Sequence, residues 1–307
     1  MIKNDFFASE FVVGEVPVGG RHSRIPTVLI GSIFYMRHKI VKDEESGDFD
    51  EEQAAQLIRE CETYSNKLGV GFMLDVVGST PEALMRYIRF IKDVSPSPIL
   101  LNSTSPETRM SVLKQLAEEN MLDRIVYNSI NAFTTEDELD VLENVQIEAA
   151  IIQAYNPKSK KPEGPLKALE GKDNNGLLHL AEKCNVRNVM IDIPALDLSG
   201  LGIVAHSARL IQEKLGLPVG SAPANATYTG AWLRDRSKVS REQFKAVDAA
   251  VNTYLVANGC NFSFFGPIEG AHWVFPAVAV ADAMNVYGAK HLGIVANNEM
   301  HPMFRVL

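Results

Sequence analysis

Cysteine is scarce: three thiols, Cys61, Cys184 and Cys260, are scattered through 307 residues. An odd, dispersed set builds no disulfide framework and fits a reducing compartment, so a cytoplasmic location is expected. No Cys/His cluster has the spacing of zinc ligands, and the chain is expected to bind no metal. Basic charge is also short, with 30 Lys and Arg against 38 Asp and Glu, a formal net charge of -8. Without a basic stripe, nucleic acid is excluded as a partner. Apolar runs fall well short of the roughly 18 residues that would suggest a membrane span, so no membrane insertion is expected. The N-terminal MIKNDFFASEFVV lacks the continuous apolar core and cleavage site of a signal peptide. The acidic run Asp43–Glu52 reads as a solvated loop leading into a helix.

What the chain does contain is a regular alternation of short apolar runs and helix-period segments. Eight strands are predicted: Thr27–Ser32, Gly71–Val77, Pro98–Ser103, Arg124–Ser129, Ala149–Tyr155, Asn188–Ile193, Leu217–Ser221 and Asn261–Phe265. TVLIGS, FMLDVV and AAIIQAY are apolar on both faces, as strands of a parallel sheet covered by helices must be. Two helices carry legible caps: Thr80 before Pro81 and Glu82, and Ser105 before Pro106 and Glu107. Others are predicted over Asp50–Leu68, Thr135–Asn144, Asp173–Lys183, Leu198–Leu215, Ser240–Asn258 and Ala271–Tyr287. Eight strand–helix units suit a closed α/β barrel, the TIM (β/α)8 fold, as one domain over residues 1–307. FVVGEVPVGG should form an N-terminal hairpin near the closed bottom. The insertion Asn156–Lys172 reads equally as a mobile lid or a solvated loop.

In such a barrel, chemistry sits at the C-terminal strand ends. Those positions hold Asp75, Asn102, Asn128 and Asn131, then Gln153, Tyr155 and Asn156, then Asp192, Ser221 and Asn225. Any one Asn before Ser or Thr could simply cap the next helix. Asp75 and Asp192 fit that reading less well, because both lie inside apolar strands where a carboxylate needs partners. No lysine ends a strand, which excludes a Schiff-base aldolase. The glycines after strands seven and eight have no Arg or Lys beside them, so a phosphate cradle is disfavoured. Carboxylates and amides together suit a neutral heterocycle rich in donors and acceptors. A pterin ring is compatible with that set, although spacing alone does not select it.

LDVVGSTPEA, LLNSTSPE, VYNSIN, MIDIPALD, LPVGSAPAN and IGSIFYMRHKIVKDE resemble the H subunit of tetrahydromethanopterin S-methyltransferase, and the soluble bacterial methyltransferases similar to it. The likeness runs from about Pro26 to the end. It implies a methyltransferase moving a methyl group between N5 of a tetrahydropterin, tetrahydrofolate ahead of tetrahydromethanopterin, and the cobalt of a corrinoid. The setting it implies is one-carbon metabolism or demethylation of methylated compounds. More distantly, the chain resembles the methyltetrahydrofolate–corrinoid methyltransferases and the pterin module of cobalamin-dependent methionine synthase. That likeness implies that Asp75, Asn102, Asn128 and Asp192 bind pterin and that Asn225 contacts N5; Gln153 and Ser221 complete the expected binding set. Asn102 departs from the Asp usual there in the wider group of methyltetrahydrofolate–corrinoid enzymes. No D-x-H-x-x-G cobalamin motif is present, so the corrinoid is expected on a separate protein docking over the barrel mouth. A homodimer is a further family-level expectation. Two alternatives stand beside this reading: a barrel enzyme of dihydropteroate synthase type, which the weak basic equipment of the mouth disfavours, and a non-catalytic docking protein for corrinoid carriers.

Overall fold

The computed structural model describes residues 6–172 and 175–307. An antiparallel hairpin, β1 (Glu10–Val13) and β2 (Val16–Gly19), comes first, followed by β3 (Val28–Ile33). A small antiparallel pair, β4 (Val41–Asp43) and β5 (Asp48–Phe49), precedes α1 (Glu51–Leu68). Strand and helix then alternate through β6 (Gly71–Val77), α2 (Pro81–Val94), β7 (Ile99–Asn102), α3 (Pro106–Glu118), β8 (Ile125–Ile130) and α4 (Glu136–Val145). After β9 (Ala149–Gln153) come α5 (Glu163–Glu170) and α6 (Leu177–Lys183), then β10 (Asn188–Asp192) and α7 (Gly200–Leu215). The chain finishes with β11 (Val219–Ser221), α8 (Ala224–Thr229), α9 (Ala231–Arg234), α10 (Arg241–Ala257), β12 (Phe262–Pro267) and α11 (Ala271–Gly288).

Eight strands pair in the order β10-β11-β12-β3-β6-β7-β8-β9 and close, with β9 parallel to β10. This is the expected TIM barrel with its N-terminal hairpin. Strand geometry explains its two cores, because successive side chains point to opposite faces. One set (Val28, Ile30, Met73, Leu100, Val126, Ile151, Met190, Phe262) packs inside the barrel. The alternate set (Leu29, Leu74, Leu101, Tyr127, Ile152, Ile191) packs outward in the cluster shared with the helices. Val13 and Val18 of the hairpin join the inner cluster and plug the bottom. Gly220 makes room inside: a Cβ there would lie 2.5 Å from the Phe262 ring.

The capped helices start as the sequence predicts. Thr80 accepts from the Ala83 N–H and Ser105 from the Thr108 N–H, each with proline next in the chain. Two local expectations change. The predicted start at Asp173 lies outside the described residues, and the helix described there begins at Leu177. The insertion Asn156–Lys172 is not wholly loop, because Glu163–Glu170 folds as α5 and buries Leu166 and Leu169. The Asn156 side chain donates to the Gly164 carbonyl (3.1 Å), and Ser207 of α7 donates to the Pro162 carbonyl (2.9 Å), tying the segment to the barrel wall.

Candidate functional site

The mouth is the top inward layer of the barrel. Moving two residues along each strand from the last apolar inner position reaches Ser32 from Ile30, Asp75 from Met73, Asn102 from Leu100, and Asn128 from Val126. The same step reaches Gln153 from Ile151 and Asp192 from Met190. Register aligns them: Ser32 lies opposite Asp75, Asn102 opposite Asn128, and Gln153 opposite Asp192.

The two acids differ in how completely they are satisfied. Asp75 is buried and accepts from Ser32 Oγ (2.8 Å), Asn102 Nδ2 (2.9 Å) and Asn128 Nδ2 (3.2 Å). A carboxylate offers about four acceptor positions, so Asp75 is nearly filled and fixes the direction of both amides. Their carbonyl oxygens are left for other donors. Burial raises the Asp75 pKa, and the three hydrogen bonds work against that rise. Asp192 is equally buried but has one long contact, from Gln153 Nε2 at 3.4 Å. Its Oδ1 has no hydrogen-bond partner among the described residues. Burial, opposed by the Gln153 contact and helped by the charge of Asp75, pushes its pKa up to about 7. A buried carboxylate oxygen without a donor is costly unless a ligand supplies one.

The remaining predicted residues are placed as follows. Ser221 is fully buried and donates to the Ile193 carbonyl (2.6 Å), which leaves its oxygen only as an acceptor. Asn225 is exposed in the first turn of α8, and its side-chain amide makes no hydrogen bond among the described residues. Its helix is held firmly: Thr227 Oγ1 donates to buried Asp248 of α10 (2.6 Å), which also accepts from Trp273 Nε1 (2.8 Å). Gly266, at φ +85, brings β12 against that helix, since a Cβ would stand 2.6 Å from the Ala224 Cβ. Asn131 and Asn156 serve their own turns, accepting from the Phe133 and Lys158 N–H groups. Tyr155 stands exposed at the rim.

Sequence reasoning missed Ser32, although it shares the two-residue offset of its neighbours. It also assigned nothing to the loop after β3. There the buried His38 ring accepts from the Phe34 N–H at Nδ1 (3.0 Å) and faces Glu269 at Nε2 (3.2 Å), with Tyr35 stacked on it. Burial opposes ionisation of Glu269, but the hydrogen bonds from His38 and Tyr35 keep its pKa low. The buried Arg109–Glu138–Tyr127 network, which holds α3 and α4 against β8, was likewise unassigned. Among the described residues no three His, Cys, Asp or Glu side chains form a metal-binding group. The three thiols are buried and apart from one another in sequence.

Comparison with known proteins adds the family. Dihydropteroate synthases share the architecture: that of Xanthomonas albilineans superposes with a TM-score of 0.57 at 15% identity, over 91% of this chain and 98% of that one. The Coxiella burnetii enzyme gives 0.58 at 14% identity, over 91% and 99%. At such identities the likeness is one of fold. Sequence relatives are closer. The H subunit of tetrahydromethanopterin S-methyltransferase from Methanosarcina acetivorans is 37% identical over 316 residues, with both chains fully covered. Its counterpart of the same name from Methanopyrus kandleri is 36% identical over 301 residues, covering 94% of each chain. The profile "Tetrahydromethanopterin S-methyltransferase MtrH subunit" matches residues 9–297, and the chain therefore belongs to the MtrH family.

Proposed function

We propose that this protein transfers a methyl group between N5 of a tetrahydropterin and the cobalt of a corrinoid held by a separate protein. The observation that carries the reading is Asp192: buried, with one oxygen unpartnered among the described residues, in the same layer as the Asn102 and Asn128 amides that Asp75 orients. The 2-amino group and N3–H of a pterin are parallel donors that one carboxylate accepts together. Those donors would bring Asp192 back to its ionised form at neutral pH. Asn102, Asn128 and Gln153 then serve the remaining polar edge of the ring, each offering both a donor and an acceptor. Asn225, at the rim with a free amide, donates to N5 as the methyl departs, when the amine most needs a hydrogen bond. The corrinoid supplies the metal that accepts or returns the methyl. Met36, Phe133 and Trp232 are 71%, 77% and 53% exposed in loops and helices that follow strand ends, which suits a protein partner docking over the mouth.

The reading also assigns a cytoplasmic location, in keeping with the reduced-thiol composition; among the described residues no helix is long and apolar enough to cross a membrane. Calorimetric titration with tetrahydrofolate and tetrahydromethanopterin in parallel tests the substrate, and transfer from a methylcorrinoid protein tests the reaction. Tetrahydrofolate is expected to bind; failure of both pterins would remove the proposal.

For the homodimer, α11 offers a face. Val280, Met284 and Tyr287 recur at helical spacing, and all three are exposed, as is Tyr254 on the neighbouring α10. Met284→Arg is expected to convert a dimer to monomer in light scattering, with the melting temperature of the barrel retained. A parent chain already monomeric at micromolar concentration would rule out this assignment.

A further inference from the structure

Beside the layer proposed to bind the pterin ring lies a cavity of about 320 Å³, between the loops that follow β9 and β10 and the start of α7. Ala154 and Ile193 in its lining immediately follow Gln153 and Asp192, so it adjoins the candidate ring site. The two loops are joined by the Ala154 N–H donating to the Asp192 carbonyl (2.8 Å). One wall is apolar: Ile193, Pro194, Leu196 and Pro165, with Tyr155 at the edge. The lining also includes Lys160 and Lys161, both exposed and without a direct ion pair among the described residues. Asp197 also lines the cavity; its carboxylate is engaged by Ser199 Oγ (2.6 Å) and the Gly200 N–H (2.8 Å), and these bonds, with the nearby charge of Lys160, hold its pKa low. In a chain of net charge -8, two adjacent lysines without a direct ion pair among the described residues, beside apolar side chains at the barrel mouth, form a local exception.

We propose that this cavity is the tail subsite of the substrate: its apolar wall receives the arylamine ring attached to the pterin, and Lys160 and Lys161 receive the anionic end of the tail. The assignment rests on the pterin reading above. It deepens that reading, because the six residues of the ring-binding layer (Ser32, Asp75, Asn102, Asn128, Gln153 and Asp192) include no cation, whereas natural tetrahydropterin carriers end in carboxylates or a phosphate. Exposed lysines contribute chiefly by charge, so the contact should weaken with salt. Tail recognition would also separate ligands that the Asp/Asn layer, reading only the ring head, treats alike.

The test compares methyltetrahydrofolate as the monoglutamate and triglutamate, tetrahydromethanopterin, and a tetrahydropterin with a methyl in place of the tail. Each is titrated calorimetrically into the full chain and into Lys160→Glu/Lys161→Glu. Tailed ligands are expected to lose about ten-fold in affinity in the variant, while the tailless pterin binds both proteins equally. Selective loss for the glutamates or for the phosphate-bearing pterin identifies which anion the lysines read. In the parent, added NaCl should weaken the tailed ligands and spare the tailless one, a measurement that needs no variant. If the tailless pterin binds but tailed ligands gain nothing from the tail, or are unaffected by both the variant and salt, the subsite assignment is overturned and the ring site survives. If neither tailed nor tailless pterin binds the parent, the pterin reading fails, and the subsite with it.

Discussion

Asn225→Ala is expected to lower kcat by about 10²–10³ while the pterin KM changes little, the range seen when a preorganised donor to developing charge is lost. Three features of the structure make this a test of chemistry rather than of folding. The helix that carries Asn225 is anchored by Thr227 on Asp248, not by Asn225 itself. The Asn225 backbone N–H donates to the Ala222 carbonyl (3.1 Å), a bond that alanine keeps. Its side-chain amide supports nothing else among the described residues, so truncation orphans no buried group. A donor to N5 matters little to bound methylpterin and much to the amine as its bond to carbon breaks, so the loss should fall on kcat. Steady-state kinetics at saturating corrinoid protein, beside a melting curve, decide the matter. An unchanged kcat with a raised KM would make Asn225 a binding residue and leave N5 without an assigned donor.

The barrel was legible because its physics is local and repetitive. Strands buried on both faces read as unbroken apolar runs, and Thr80–Pro81 and Ser105–Pro106 announce helix starts by capping chemistry that acts over three residues. The acids at the mouth were legible for a related reason: Asp75 and Asp192 interrupt apolar strands, and only partners or a ligand justify that. Their difference in role was not legible. Whether a carboxylate is filled, like Asp75, or left open, like Asp192, depends on which amides the closure of the barrel brings beside it, and Ser32, Asn102 and Asn128 come from three different strands. The helix inside Asn156–Lys172 was hidden because Gly164 and Pro165, in its first turn, give it weak propensity. Contacts to α7, including Ser207 on the Pro162 carbonyl, support it from outside the segment. The cluster of His38, Tyr35 and Glu269 was hidden by distance, since its members meet across the β3–β12 seam.

Asp192→Asn is expected to strengthen the fold and weaken the site together. In the folded chain this carboxyl titrates at about 7 instead of 3.8, chiefly through burial, with Gln153 opposing the rise and Asp75 adding to it. An acid whose pKa is raised by folding holds its proton more firmly when folded. Its contribution to stability is therefore complete below its unfolded pKa and is lost as pH climbs through about 7. A shift of that size corresponds to roughly 4 kcal/mol by about pH 8. Asparagine has nearly the same shape and cannot ionise. The variant should then melt several degrees above the parent at about pH 8, with the gap closing toward about pH 4. Pterin binding should move the other way. Only the ionised carboxylate accepts two donors, so the parent's affinity should climb as pH rises toward about 7 and then level off. The variant, whose amide nitrogen meets a donor with a donor, should bind about ten- to a hundred-fold more weakly at high pH, and without that pH dependence. The pairing of the two results is what distinguishes a ligand site from a structural acid. A carboxylate that served only the fold would lower the melting temperature when replaced and leave pterin affinity alone. One held ready for a ligand is a burden to the empty chain, and its removal relieves the fold in proportion to what the site loses.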